Sequence, residues 1–558
     1  MTTRSQLRPQ WEDLSLPQQV AQMVVVRASG YWFDHQIQYP AWEPPGQTLR
    51  HWVENLGVGG VILLGGSAVE LAGRSHMLQS WADLPLLIAA DVEEGVGQRF
   101  AGATWWPPPM ALGDIAKRDL PAALQYAEAM GAALAQESLA VGLNWVLAPV
   151  VDVNNNPANP VINVRAFGDT PEIVSKLATA FIQGTQRFPV LTCAKHFPGH
   201  GDTATDSHLD LPLLSHSLAR LEQIELPPFQ AAIAQGVDSV MSAHLLIPAL
   251  DDQWPATLSH RILTRQLRDR LGFTGLVSTD ALVMGAIANH YGPNEAAVLA
   301  VEAGADILLM PADPEGAIRA VCDAVTSGRI APERIQDSLA RIRQAKEKLR
   351  PQMPTGDTSH AWETLPPVGL EIEPLLETLA QPATQALSAK ILEASMQIHL
   401  PPAAQLNRLT PTDQPRTLIV LDDVLEREFL TRTAPAIALP RQRGFRVEMV
   451  DQHTPSQEIA LQEKSPSPTL LQLFVRGNPF RGSAGLSQRA AGWFQHLLET
   501  SQLAGLVVYG SPYILEQFLP QLPDDVPYVF TYGQMAQAQA IALNALGFKD
   551  FRDEERAG

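Results

Sequence analysis

Eight short apolar runs, rich in β-branched residues and continuous rather than alternating, are spread over the first 310 residues of this chain. They fall at 23–26, 60–64, 84–90, 145–151, 190–194, 239–243, 276–279 and 306–310. A run apolar at every position fits a strand covered on both faces, the condition of a parallel sheet. Between the runs lie stretches with apolar residues three and four apart, which predict helices at 124–140, 172–186, 218–235 and 294–303. Eight strands alternating with helices over this length is the count of a TIM-type (β/α)8 barrel. An open doubly wound sheet is the competing α/β arrangement.

The charged helix pattern at 332–350 is followed by a Pro-rich stretch, which reads as a boundary. The expected layout is a barrel over 1–350, a linker at 351–370 and a smaller α/β sandwich over 371–558. Apolar runs at 417–421, 470–475, 505–509 and 528–532 mark the sandwich strands. The segment 476–485 reads as a polar loop with no glycine-rich dinucleotide fingerprint.

Forty Lys and Arg against 59 Asp and Glu give a net charge of −19, with only 18% charged residues in all. No basic stripe is available to displace counterions from a phosphate backbone, so nucleic acid is not an expected partner. Two cysteines, Cys193 and Cys322, make no disulfide framework. The polar first 15 residues lack a signal-peptide core, and no uncharged apolar run reaches the roughly 18 residues of a membrane span. The expectation is a soluble, cytoplasmic enzyme with no membrane partner.

Barrel chemistry sits at the carboxyl ends of the strands. There the sequence places Asp91, Glu93, Glu94 and Arg99 after the third run, and Asp152 and Arg165 after the fourth. Lys195, His196, His200, Asp206 and His208 follow the fifth, His244 the sixth and Asp280 the seventh. Asp206-x-His208 suggests a carboxylate orienting an imidazole, which makes a near-neutral acid/base available. Asp280 ends an apolar strand; it is either the cap of the next helix or a rim carboxylate. A carboxylate facing an acid/base is what glycosyl transfer to an enzyme nucleophile requires. Asp91, Arg99, Arg165, Lys195 and His196 would then clamp sugar hydroxyls.

Four tracts carry a family likeness: DVEEGVGQRF (91–100), APVVDVNNNPANPVINVRAFG (148–168), CAKHFPGHGDTATDSH (193–208) and GFTGLVSTDALVMGAI (272–287). Over about residues 15–350 the chain resembles glycoside hydrolase family 3, within it the β-N-acetylglucosaminidase branch, and its C-terminal part resembles the sandwich domain many members append. The resemblance implies Asp280 as nucleophile, His208 as acid/base and Asp206 as its dyad partner. It also implies Asp91, Arg99, Arg165, Lys195 and His196 as substrate-binding residues. A retaining β-N-acetylhexosaminidase acting on terminal β-linked N-acetylglucosamine, as in cell-wall turnover fragments, follows as the implied activity. Such enzymes need no metal or organic cofactor.

The family's usual DQEGGRVQRF stands here with Glu94 in place of a glycine and Val96 in place of an arginine. An added carboxylate and a lost cation beside the sugar bear on which sugar is accepted. A β-glucosidase and an N-acetylglucosaminide phosphorylase remain alternatives on the same fold. Outside it stand a metal-dependent hydrolase built on His200, Asp206, His208 and His244, and a non-catalytic sugar-binding protein.

Overall fold

The computed structural model describes residues 11–203, 211–349, 372–402, 413–422, 429–451, 453–454, 467–476 and 488–548. The expected linker at 351–370 lies outside them, as do Asp206 and His208.

The eight runs form eight parallel strands: β1 (Val24–Ser29), β2 (Gly60–Leu64), β3 (Leu87–Ala90), β4 (Trp145–Val146), β5 (Cys193–Phe197), β6 (Ser239–Ser242), β7 (Leu276–Ser278) and β8 (Leu308–Leu309). One arc runs β4-β3-β2-β1-β8 and the other β5-β6-β7. Parallel bridges close the circle, Trp145 to Leu191 between β4 and β5, and Ser278 to Ile307 between β7 and β8. The curled sheet is the expected barrel rather than the open alternative.

Several boundaries moved for local reasons. The run 145–151 keeps only two ladder residues, because Pro149 has no N–H to donate. β5 starts later than expected and continues through Lys195, His196 and Phe197, all buried. The stretch 218–235 is two helices, Leu218–Gln223 and Leu226–Ala234. Pro227 and Pro228 cannot continue the first but fit the opening turn of the second. The helix Leu120–Ala140 begins four residues early, where the Asp119 carboxylate accepts the Ala122 N–H at 3.1 Å.

Among the described residues the second unit forms a six-stranded sheet, in the order β11-β10-β12-β13-β14-β9. Its strands are β9 (Gln397–His399), β10 (Arg416–Leu421), β11 (Arg446–Val450), β12 (Thr469–Val475), β13 (Leu503–Gly510) and β14 (Tyr528–Thr531). All pairs are parallel except β14 with β9. Alternate residues serve opposite faces: Leu418, Val420, Leu471 and Leu473 pack with Trp493, Phe494 and Leu497. Ile419, Leu421, Leu470 and Phe474 pack with Ile437 and Leu543. Helices on both faces explain why these runs are apolar throughout. The first of these two clusters is continuous with the barrel core.

Lys346 is an exception to the apolar patterning. It lies on the buried stripe of the helix Pro332–Lys348 with Ile335, Leu339 and Ile342. Its Nζ donates to Gln22 Oε1 at 2.8 Å and lies 5.6 Å from the Trp11 ring centre. Burial pushes the amine down to about 7. Between that value and the ordinary value near 10.4, the unfolded chain binds the extra proton, so this group's contribution to stability improves as pH rises. Lys346→Met is expected to stabilise the fold by about 1–3 kcal/mol at pH 6 and by less at pH 9.5. Thermal melts of both proteins at the two pH values test this, and a gap in Tm that does not change with pH contradicts it.

Candidate active site

The sequence reading placed ionisable residues at the strand ends, and the fold brings most of them to one rim. Asp91 follows β3, and its Oδ1 accepts from Lys195 Nζ of β5 at 2.7 Å. The same Nζ lies 2.6 Å from Glu93 Oε1. Arg165 grips Glu93 with two bonds of 2.8 Å, from Nε to Oε2 and from Nη2 to Oε1. A third Arg165 bond, 2.9 Å long, goes to the Val161 carbonyl. Glu93, a strand-end carboxylate outside the expected clamp, is the hub that joins Lys195 to Arg165. Arg99 is exposed and donates through Nε to the Asp91 carbonyl oxygen at 3.1 Å.

Burial alone would raise the Glu93 pKa, but the Arg165 and Lys195 charges hold it well below the usual carboxylate range. Burial alone would lower that of Lys195, but Asp91 and Glu93 raise it. At neutral pH Glu93 and Lys195 are therefore both ionised. Lys195 is 1% exposed and Asp91 36%, so the lattice is sealed behind and open in front.

β5 reaches this position through a bulge. Lys195 pairs with Met241 and Phe197 with Ser242, leaving His196 as the extra residue. His196 is held by a fully buried carboxylate, Asp152, which accepts from its Nδ1 at 2.8 Å and from its backbone N–H. A third Asp152 bond takes the His200 N–H at 2.7 Å. Burial would raise the Asp152 pKa, but the neighbouring His196 outweighs it and lowers it. The carboxylate thus fixes a proton on Nδ1. His200 is the opposite case: burial pushes its imidazole down to about 4, so it is neutral here.

The loops after β4 and β5 are stapled together. The buried Asn159 side chain donates to the His200 and Gly201 carbonyls at 2.8 and 3.0 Å. Its Oδ1 accepts the Val161 and Ile162 N–H groups at 2.9 and 2.8 Å. Gly201 is required because a Cβ there would lie 1.8 Å from the Val153 carbonyl oxygen. Asn159→Ala is expected to cost about 2–4 kcal/mol, since four buried backbone groups lose a partner. Chemical denaturation measures it, and a loss below about 1 kcal/mol contradicts the staple.

Asp280 follows β7. Its Oδ1 accepts the N–H of Ala281 at 2.7 Å, and the next helix, Gly285–Tyr291, starts too late for Asp280 to cap it. The carboxylate lies within electrostatic reach of His200 and Cys193 on the β5 side of the mouth. His244 bonds Thr257 Oγ1 and the Ala281 carbonyl at 2.8 and 3.0 Å, and His200 bonds Thr203 Oγ1 at 2.8 Å. Both imidazoles bond neutral oxygens. Asp202, His216 and Glu225 converge, but Arg220 already bridges Asp202 and Glu225 at 3.2 Å to each. Among the described residues no helix is long and apolar enough to cross a membrane.

This arrangement can bind a polyhydroxylated ring through charged donors and acceptors. The "Glycosyl hydrolase family 3 N terminal domain" matches residues 15–345, and the "Bacterial Glycosyl hydrolase family 3 C-terminal domain" matches 408–548. Beta-hexosaminidase A of Pseudoalteromonas piscicida is 36% identical over 339 residues, 55% of this chain and 56% of that one. The chain thus matches little more than half the length of that relative. A beta-hexosaminidase of Nitrosomonas eutropha is 35% identical over 306 residues, 52% of this chain and 86% of its own length. A solved structure of a family 3 beta-N-acetylglucosaminidase from Paenibacillus sp. str. FPU-7 superposes with a TM-score of 0.75 at 29% identity, covering 96% of this chain and 97% of that one.

Proposed function

Because the chain belongs to glycosyl hydrolase family 3, we propose that it is a retaining β-N-acetylhexosaminidase releasing terminal β-linked N-acetylglucosamine. The observation that carries the reading is the Asp91–Lys195–Glu93–Arg165 lattice at the ends of β3, β4 and β5, with Asp280 following β7 of the same barrel. The relatives' names supply the amino sugar.

In this mechanism Asp280 attacks the anomeric carbon while His208, oriented by Asp206, protonates the leaving oxygen. The bond to the aglycone breaks and a covalent glycosyl-enzyme forms. His208 then takes a proton from water, which displaces Asp280 and returns the β-anomer. Asp91, Lys195, Arg165, Arg99 and His196 bind the sugar hydroxyls. Cell-wall turnover fragments in the cytoplasm are the proposed source of substrate.

Turnover of aryl β-N-acetylglucosaminide and aryl β-glucoside, each with and without inorganic phosphate, tests the proposal. Hydrolysis of the N-acetylglucosaminide at least tenfold faster, with product retaining configuration and no sugar phosphate formed, is the expected result. Preference for the glucoside, release of a sugar 1-phosphate, or an inverted product overturns it.

A further inference from the structure

Glu94 replaces a motif glycine directly beside Glu93, and its carboxylate has its own set of partners. It is fully buried. Its Oε1 accepts from Arg476 Nη2 at 2.6 Å, and its Oε2 from Arg476 Nη1 at 3.2 Å and from Trp105 Nε1 at 2.9 Å. Arg476 belongs to the second unit, immediately after β12. The Glu94 backbone is also held: its N–H donates to Gln98 Oε1 at 2.9 Å and its carbonyl accepts from Trp106 at 2.7 Å.

Other contacts join the same two regions. Tyr513, three residues beyond β13, accepts at its hydroxyl from Asn154 Nδ2 in the loop after β4, at 3.1 Å. Trp105 packs edge-on against Phe429 of the second unit, with ring centres 6.0 Å apart. The carboxyl end of the second sheet therefore abuts the β3 and β4 loops of the barrel, the loops that carry Asp91, Glu93, Arg99 and Arg165.

We propose that the second unit completes the sugar-binding site, and that Arg476 is a positioning residue acting through Glu94 on the turn from Asp91 to Gly95. This rests on the glycosidase reading above and extends it to how the β3 loop is set. Two adjacent buried carboxylates need separate cations. The barrel supplies Lys195 and Arg165 to Glu93, and the second unit supplies Arg476 to Glu94. Without Arg476 the Glu94 charge keeps only the indole N–H, and a buried carboxylate so deprived turns toward water or another cation. Either movement drags the turn and shifts Asp91 and Glu93 from the sugar. The need for Arg476 is thus created by Glu94 and disappears with it.

The test compares wild type, Arg476→Met, Arg476→Lys, Glu94→Ala and the Glu94→Ala/Arg476→Met double variant in the full chain. Each is assayed with aryl β-N-acetylglucosaminide, and circular dichroism confirms folding at the assay temperature. Arg476→Met is expected to lose at least tenfold in kcat/KM, and Arg476→Lys, which cannot make the paired contact, three- to fivefold. The double variant is expected to return to within about threefold of wild type. The rescue shows that the loss comes from the orphaned Glu94 charge. A lowered kcat/KM in Arg476→Met that circular dichroism shows to be folded separates positioning from a structural staple, whose removal lowers Tm and leaves kcat/KM of the folded enzyme unchanged. Wild-type kcat/KM in Arg476→Met, or a double variant as impaired as the single, overturns the proposal. If Arg476→Met does not fold, Arg476→Lys and the double variant decide by the same criteria. Absence of turnover in wild type overturns the glycosidase reading instead, and is seen in that arm alone.

Discussion

Asp280→Ala is expected to lower kcat for aryl β-N-acetylglucosaminide by about 10⁴-fold or more, the scale on which hydrolases lose activity with their nucleophile. The carboxylate accepts the adjacent Ala281 N–H, and β7 is held by contacts that do not involve it. Thr279 Oγ1, for one, accepts the Leu309 N–H at 2.9 Å. The decisive readout is chemical. In a double displacement Asp280 attacks the face opposite the aglycone, and its removal leaves space there for a small anion. Azide should restore turnover in Asp280→Ala and give the α-glycosyl azide, because one displacement inverts where two retain. A β-azide, or an Asp280→Ala enzyme with wild-type kcat, would show that the nucleophile lies elsewhere.

What could be read in the sequence was what burial writes into it. Strands covered on both faces announce themselves, and so the barrel and four strands of the second sheet were visible. β11 was not, because it edges the sheet and exposes Arg446 and Met449, which breaks the apolar run. β9 is a three-residue antiparallel edge with no fully buried position. The apolar run of β5 stops at Ala194, because Lys195 and His196, which continue the strand, are polar. Both are buried because their counter-charges arrive from β3 and β4: Asp91 lies 104 residues away and Asp152 lies 44. The candidate residues themselves were legible as strand-end polar groups, but their pairing was not. Glu94 is the plainest case. The motif marks it as a departure, yet its partner is 382 residues downstream in a stretch that read as a polar loop.

Glu93→Ala is expected to destabilise the chain by about 3–5 kcal/mol and to lower kcat/KM by about 100-fold or more. The destabilisation follows from what is left behind. Lys195 keeps Asp91, but Arg165, only 17% exposed, keeps a single backbone carbonyl for its charge. The activity follows because both cations lose the anchor that aims them at the sugar. Glu93→Gln separates shape from charge, since an amide fills the same space but accepts through one oxygen only. Its penalty should depend on pH in a fixed sense. The folded-state pKa of Glu93 lies below the unfolded value of about 4.3, so its stabilisation is complete above that value. The contribution fades as pH falls toward the depressed folded pKa. Wild type and Glu93→Gln should therefore differ most in Tm near pH 7 and converge below about pH 4. Asp152, also depressed, adds to the acid sensitivity of both proteins and leaves the comparison intact. A gap in Tm that stays constant from pH 7 to pH 3.5 would mean that the Glu93 charge adds nothing to the lattice, and that Lys195 and Arg165 are held by shape alone.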